Sequence, residues 1–360
     1  MSGICFSNEK KYNFFFHLFK ALVILSLFWV APSVLYAQVP CASRDFRTFS
    51  LYIENDVFAG DDDQYTNGLK LTWSRYGLSE LPEDAWAHRW LYPVVKRLGF
   101  SSPDSEKALT FSIGQNMYTP RDIEETQLIR DDRPYAGVTY IEIGFHRKLD
   151  NHMHTLGLCA GIVGPHSYAE QLQTYGHALL SSDDTNGWDH QLEDEPVMCV
   201  IYDYKQKIFA SNINAGIGGD AIFNTGGGIG NVRTFYNIGM MMRYGWNVPN
   251  DCGNFPIQPA TCFNAELKQS TCDEKRNRFG VHLFLSGGGQ AVLHDIFLDG
   301  NTFRDSHSVD KKPFVGVFMG GIGLVTGRVK TVFAYVARTK SFETQQNLEV
   351  FGSINFSFQY

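Results

Sequence analysis

The sequence lacks several features that mark common classes of enzyme and binding protein. It contains no Gly-x-Ser-x-Gly motif, no Cys-x-x-Cys pair and, beyond the N-terminal region, no apolar run long enough for a membrane-spanning helix. These absences argue against a serine nucleophile on an α/β-hydrolase elbow and against a structural zinc site of common spacing. Acidic residues (38) outnumber lysine and arginine (31), and the net charge of −7 argues against a nucleic-acid partner, because phosphate binding needs basic surfaces.

The N-terminal region has the three-part layout of a secretory signal peptide. A lysine-containing lead precedes the apolar run Ala21–Ala31, and small residues follow as far as Ala37. A transmembrane anchor is the alternative, but this run is short of the roughly 20 residues that a spanning helix needs. We therefore expect residues 1–37 to be a signal peptide and residues 38–360 to form one exported domain.

Cysteine usage fits an exported protein. Of the seven cysteines, Cys5 lies in the expected signal peptide, and Cys252, Cys262 and Cys272 cluster in one loop-like segment. An oxidising compartment permits disulfides, and we predict one within this cluster.

What the sequence does contain is aromatic residues (14%), 34 glycines and alternating hydrophobicity. The last run, LEVFGSINFSFQY, alternates apolar and polar residues with the period of two that predicts a β-strand. A chain that ends on an aromatic residue after such a run resembles the terminal strand of bacterial outer-membrane barrels. The alternative is an edge strand of a secreted sandwich.

Twelve such runs lie between residue 46 and the C-terminus, an even number as an outer-membrane barrel requires. In an even barrel both termini face the periplasm, so odd-numbered connections face outside. These connections hold most of the polar sequence, including GDDDQ, GGGIGNV and the stretch from LHDIFLDGN to DKK. We predict an all-β, 12-stranded antiparallel outer-membrane barrel with a short helix in an extracellular loop, and we expect a monomer.

Two even-numbered connections are longer than periplasmic turns usually are. Residues 78–107 contain an amphipathic segment, WAHRWLYPVVKRLGF, and residues 250–277 contain the cysteine cluster. The sequence offers no physical reason for either length.

The third external connection carries a candidate catalytic helix. Ser167 and Glu170 have capping-box spacing, and Glu170, Gln173 and His177 are separated by three and four residues, which places them on one helix face. An imidazole with a carboxylate and an amide nearby suits a general base. The alternative is that Glu170 only caps the helix and His177 is a solvated surface histidine.

The stretch ENDVFAGDDDQYTNG is unusually rich in acidic and amide side chains. Asn55 and Asp56 end the first strand, Asp63 is the last of three loop aspartates, and Thr66 opens the second strand. Such oxygen ligands suit a hard cation such as Ca²⁺, although a charged, soluble hairpin tip is an open alternative. Strict alternation puts Asn55 and Asp56 on opposite faces, so they share a site only if the strand bends.

Several motifs in order resemble the lipid A 3′-O-deacylases, which are calcium-dependent outer-membrane esterases. They are END with D-x-YTNG, GQNMYTP, DDRPYAG, GP-x-S with E-x-x-Q-x-x-x-H, and GNV-x-T with LHDIFLDGN, and they cover nearly all of residues 46–360. The resemblance implies a twelve-stranded barrel in the outer membrane. It also implies a site between the barrel wall and an external-loop helix, facing lipopolysaccharide at the cell surface.

Position by position, the resemblance implies a role for each candidate. His177 matches the family's general base, and Asn55 and Asp56 match its asparagine–aspartate pair. Thr66 matches the family's hydroxyl residue of the second strand, and Gln173 matches the glutamine one turn before the histidine. Further candidates are Asp56 and Asp63 for calcium, with Glu170, Arg121 and Arg133 for substrate; Arg133 is equally open to a structural role.

The implied mechanism resembles that of secreted phospholipase A2. His177 takes a proton from water, which attacks the acyl ester, while Ca²⁺ near Asp56 stabilises the oxyanion. Two alternatives remain open. One is a barrel phospholipase acting on glycerophospholipids, and the other is a non-enzymatic, porin-like or adhesive barrel.

Overall fold

The chain forms a closed barrel of twelve antiparallel strands in a computed structural model, so the predicted architecture is confirmed. The structure describes residues 47–56, 65, 67–76, 105–180, 185–212, 216–253, 256–257 and 279–360, apart from the side chains of residues 177–180 and 212. The strands are β1 (Arg47–Asn55), β2 (Asn67–Tyr76), β3 (Glu106–Tyr118), β4 (Ala136–Leu149), β5 (His152–Val163), β6 (Glu195–Asn212), β7 (Ile217–Gly230), β8 (Arg233–Trp246), β9 (Gly280–Asp295), β10 (Phe314–Thr326), β11 (Val329–Arg338) and β12 (Glu349–Gln359). Within the described residues, two α-helices interrupt them, α1 (Ala169–Leu180) and α2 (Ile296–Asp299).

The barrel closes through the first and last strands. β1 pairs with β12 from Thr48↔Gln359 to Asn55↔Gly352, and β12 also pairs with β11. Because β12 has a partner on each side, it is not the edge strand of a sandwich. Closure leaves no exposed sheet edge, which is the condition for β-strands to lie in lipid.

The two faces of the barrel wall have opposite polarity. Along β1 the alternate residues Thr48, Ser50, Tyr52 and Glu54 are buried in the lumen. Lumen charges are paired, as Lys70 on β2 is with Glu142 on β4. The outer face carries exposed apolar side chains such as Leu285, Leu158 and Met242. Apolar outside and polar inside is the arrangement of a membrane barrel.

No helix in the described part of the chain is long and apolar enough to cross a membrane.

Several strand boundaries differ from the sequence prediction, and close backbone packing explains the clearest difference. β7 runs through the glycines to Gly230, so GGGIGNV is mostly strand and the connection is Asn231–Val232. A Cβ at Gly230 would lie 2.1 Å from the carbonyl oxygen of Met198 on β6, so glycine here permits close strand packing. β6 extends to Asn212 and β9 to Asp295, so the predicted Ala-Ser turn and the start of LHDIFLDGN also lie in strands.

The long β8–β9 connection enters the lumen. Asp251 makes buried ion pairs with Arg243 and with Lys330, the latter at 2.5 Å. The backbone N–H of Ile257 donates to the carboxylate of Glu54 at 2.6 Å. Glu54 lies near the C-terminal end of β1. The described residues of this connection therefore enter the lumen instead of turning at the rim. Most of the other long connection, residues 78–107, lies outside the described residues.

The predicted disulfide does not include Cys252. Its thiol is free and buried beside Tyr76, Ala108 and Met153, because the β8–β9 connection carries it into the barrel. Cys262 and Cys272 lie outside the described residues.

Candidate active site

The chain between β5 and β6 presents α1 on the outer wall of the barrel. A tight turn at Pro165–Ser167 precedes the helix, and Tyr168 adopts a left-handed backbone with φ of 58°. The predicted capping box is wrong, since the Ser167 hydroxyl is buried and has no hydrogen-bond partner in the described part of the chain. The left-handed residue makes α1 begin at Ala169, one position too late for Ser167 to cap it.

The turn is fastened to strands β3 and β4. Gln115 donates to the carbonyl oxygen of Ser167 at 2.6 Å, and Thr139 donates to the same oxygen at 2.7 Å. Gly137 on β4 lets the helix approach, because a Cβ there would lie 2.1 Å from the Cβ of Ala169. These contacts seat the start of α1 on the outward face of the wall.

Asp194, at the other end of the same connection, is bonded to His166 in the turn. Its carboxylate accepts from the backbone N–H of His166 at 2.8 Å and pairs with the His166 ring. Burial acts to raise the pKa of Asp194, but the hydrogen bonds from His166 outweigh it and the pKa is lowered. The carboxylate is therefore charged at neutral pH and keeps both bonds to the turn.

One face of α1 packs against the protein and carries Gln173. Ala169 is 1% exposed and Gln173 is 4% exposed, whereas Tyr175 is 75% exposed. Position 177 follows Ala169 and Gln173 at the same four-residue interval, so its backbone lies on the packed side. The side chain of His177 lies outside the described residues. The burial of Ala169 and Gln173 shows that α1 is not solvated on all sides.

The strand ends that carry the asparagine–aspartate pair lie in register with the helix seat. Asn55 on β1 faces Asn67 on β2, Asn67 faces Met117 on β3, and Met117 faces Gly137 on β4. At about 4.8 Å per strand, Asn55 is roughly 14 Å from Gly137 across the wall. Alternation with the lumen-facing Glu54 puts Asn55 on the outward face, which is the face that α1 covers.

Asp56 follows directly after β1 and is fully buried. The regular strand ends at Asn55, so strict alternation no longer applies to the aspartate. Tyr65 fixes the other side of this loop, since its hydroxyl donates to Glu54 at 3.0 Å and accepts from Asn116 at 2.6 Å. Thr66 and Asp63 lie outside the described residues.

Comparison with known proteins decides the family. The family model described as outer membrane protein LpxR matches residues 22–360. The chain belongs to the LpxR family. This confirms the assignment predicted from the motifs and places the protein in the outer membrane.

A solved structure shows the same fold. LpxR from Salmonella typhimurium matches with a TM-score of 0.67 at 16% identity, covering 86% of this chain and 99% of that one. The β domain of the Bordetella autotransporter Brka gives a TM-score of 0.41 at 8% identity, covering 88% and 98%. Comparison with curated proteins gives no match.

The two arginines proposed for substrate in this LpxR-family chain occupy different environments. Arg133 is buried, lies 3.7 Å from Glu349, donates to Ser341 at 3.2 Å and sits over the ring of Tyr118. These contacts support a structural role for Arg133, which was the alternative to substrate binding in the sequence analysis. Arg121 is exposed, and its guanidinium donates to Gln346.

The described residues include one member of the predicted calcium pair. Within them, no group of three or more acidic, histidine or cysteine side chains is arranged to hold a metal. Asp56 and the amide oxygens of Asn55 and Asn67 are hard oxygen donors at the ends of β1 and β2, and donors of this type suit Ca²⁺. Asp63, the second predicted ligand, belongs to the part of the loop outside the described residues.

A further residue, Trp188, contacts the helix and was not among the candidates predicted from the sequence. Its indole N–H donates to the amide oxygen of Gln173 at 2.7 Å. Trp188 stands fifteen positions after Gln173 in a stretch without regular periodicity, so no spacing rule links the two. The second partner of the helix, Gln191, donates to Glu170 at 3.5 Å.

Proposed function

We propose that this LpxR-family chain hydrolyses the 3′-linked acyloxyacyl ester of lipid A. The observation that carries the proposal is the seat of α1 on the lipid-facing side of the wall, in register with the Asn55 end of β1. A substrate held between helix and wall would enter sideways from the outer leaflet without leaving the membrane. An acylated glycolipid suits that route, because its acyl chains stay in lipid while its ester reaches the polar strand ends.

The lengths of helix and wall are compatible with one shared site. From Ala169 to position 177 the helix rises roughly 12 Å. The wall from Gly137 to Asn55 spans roughly 14 Å. We propose that the helix runs from β4 towards β1, an orientation that would bring His177 close to Asn55, Asp56 and Thr66.

In the proposed reaction His177 is the general base. It takes a proton from water, and the water oxygen attacks the acyl carbonyl carbon. The bond from that carbon to the sugar oxygen then breaks, and the proton passes to the departing alkoxide. The products are 3′-deacylated lipid A and the free acyloxyacyl acid.

The remaining residues orient the ester. Asn55, Thr66 and Gln173 supply hydrogen bonds, while Glu170 and Arg121 stand at the exposed side for polar groups of the substrate. Asp56 and Asp63 would hold Ca²⁺, which when bound stabilises negative charge on the carbonyl oxygen.

The test is the lipid A mass spectrum of cells that express wild type, His177→Ala or His190→Ala, with and without a calcium chelator. We expect wild type to remove the whole acyloxyacyl group and the chelator to prevent it. His177→Ala should lose a factor of about 10²–10⁴ in rate, the usual contribution of a general base. His190 is an exposed histidine of the same connection, and its variant should match wild type.

Two outcomes would contradict the assignment. Unchanged lipid A together with new lysophospholipid would identify a glycerophospholipase. No change in either lipid with calcium present, and no effect of His177→Ala, would identify a non-enzymatic barrel.

A further inference from the structure

The amide of Gln173 has a defined orientation. Amide oxygen and nitrogen are hard to tell apart in general, so the hydrogen-bond partner must assign them. Here the partner is the indole N–H of Trp188, which can only donate, and it lies 2.7 Å from the amide oxygen. The NH₂ group must therefore point away from Trp188.

That NH₂ group is buried and has no acceptor in the part of the chain that the structure describes. Gln173 is 4% exposed, so bulk water does not replace the missing acceptor. A buried donor left without a partner typically costs about 1–3 kcal/mol, so such groups are rare and an ordered water, an ion or a bound molecule commonly accounts for them. The site thus holds a donor fixed in direction and suited to an oxygen atom of a bound molecule.

Trp188 is itself held rigidly. It is 3% exposed, its ring lies 5.1 Å from that of Tyr135, and both pack with Met117 and Ala169. The Tyr135 hydroxyl donates to the carbonyl oxygen of Ile123 at 3.1 Å. The indole is therefore fixed against β3, α1 and the β3–β4 connection. Its N–H keeps one position and direction, so a rotation of the Gln173 amide would break the hydrogen bond.

We propose that Trp188 is a positioning residue. By occupying the amide oxygen of Gln173, it directs the NH₂ group towards an oxygen of the substrate's reacting acyl ester. This inference rests on the proposed esterase function. It adds the residue that determines which end of the Gln173 amide faces the ester, one helical turn from position 177.

The inference predicts how a Trp188→Phe variant behaves. Phenylalanine keeps an aromatic ring against Tyr135 but removes the N–H, so the Gln173 amide is free to rotate. We expect kcat for acyl release to fall about tenfold, the size of one lost neutral hydrogen bond, with little change in KM. Trp246→Phe, on the lipid-facing side of β8, is the matched control and should leave kcat unchanged.

A double-mutant cycle separates positioning from a structural role. If Trp188 acts through Gln173, adding Trp188→Phe to Gln173→Ala should cause no further loss. The same tenfold loss in both backgrounds, with a lowered thermal unfolding midpoint, would show that Trp188 only supports the fold. Gln173→Glu, which keeps an acceptor for Trp188 but replaces the NH₂ donor, should lose activity while retaining that midpoint.

The failure of this inference differs from the failure of the proposed function. Wild-type protein that releases acyl chains and loses activity on His177→Ala, while Trp188→Phe equals wild type, would overturn the role of Trp188 alone. Wild-type protein without any acyl release would overturn both.

Discussion

Arg133 and Arg121 are the same residue type in the same connection, but Arg133 is buried and Arg121 is exposed. The sequence proposed both as substrate ligands, because both lie in the external β3–β4 connection. Arg133 is buried under the β11–β12 connection beside Glu349, which also pairs with Arg338 at 2.8 Å. Burial is a tertiary property, so no local pattern could have separated the two arginines.

Replacing Arg133 by alanine should therefore destabilise the barrel. The change leaves Glu349 paired with Arg338, so we expect a cost below the ~3–5 kcal/mol that an uncompensated buried charge typically causes. Urea unfolding in detergent, followed by the gel mobility difference between folded and unfolded barrel, measures the loss. Arg121→Ala, at an exposed site, should cost less than about 0.5 kcal/mol. Normal stability with lost activity in Arg133→Ala would instead indicate a substrate ligand.

Other single residues mark the limit of local sequence signals. The spacing of Glu170, Gln173 and His177 predicted a shared helix face, and α1 contains all three positions. The cap at Ser167 failed because Tyr168 takes a left-handed conformation that nothing in its own side chain demands. The hydrogen bond from Trp188 to Gln173 could not be predicted from the sequence, because it depends on the tertiary fold of the β5–β6 connection.

At the scale of elements, α1 depends on one glycine of the wall. Gly137 has no side chain where Ala169 and the Ser167 hydroxyl approach it, and a Cβ there would lie 2.5 Å from that hydroxyl oxygen. The neighbours are short side chains on a fastened turn, so they cannot move aside easily.

Gly137→Ala should push α1 off the wall and separate its packed face from β3 and β4. We expect at least a tenfold loss of acyl release, since misplacement of about 1 Å can cost 10²-fold. The unfolding midpoint of the barrel should change little, because the ladder partners of β4 remain. Gly176→Ala is the control: a Cβ at this helical position has no described atom within 4 Å, and alanine favours the helix. Equal activity of Gly137→Ala and wild type would mean that the seat of α1 does not position the site.

Strand prediction succeeded where alternation was strict and shifted where glycine removed it. β12 was expected from Leu348 onward and begins at Glu349. In β7 the run from Gly226 to Gly228 carries no hydrophobic signal, yet it pairs with β6 from Asp203 to Ile201. Pairing through the backbone leaves no trace in side-chain periodicity.

At the scale of the whole molecule, the barrel carries α1 on its outer wall, and the described part of the β8–β9 connection lies in its lumen. The β8–β9 connection spans from Asp251, paired with Lys330 near the β10–β11 turn, to Ile257, bonded to Glu54 near the far end of β1. External connections also bond across the mouth, as His307 does with the carbonyl oxygen of Asp132 at 2.7 Å. This arrangement resembles a plugged barrel more than a porin.

We therefore expect the purified protein to show no steady porin-like conductance in planar bilayers. Burial acts to raise the pKa of Asp251, but Lys330 and Arg243 outweigh it and hold the pKa well below its usual range. A carboxylate with a lowered pKa contributes stability above its unfolded pKa of about 4 and loses it as pH falls through the folded value. The closed state should thus persist from pH 8 to pH 5.

Asp251→Asn, which removes the charge but keeps the size, should raise the frequency of opening events because Lys330 and Arg243 lose a buried partner. A large, steady conductance in wild type at neutral pH would contradict the lumen plug and return the protein to the porin-like alternative.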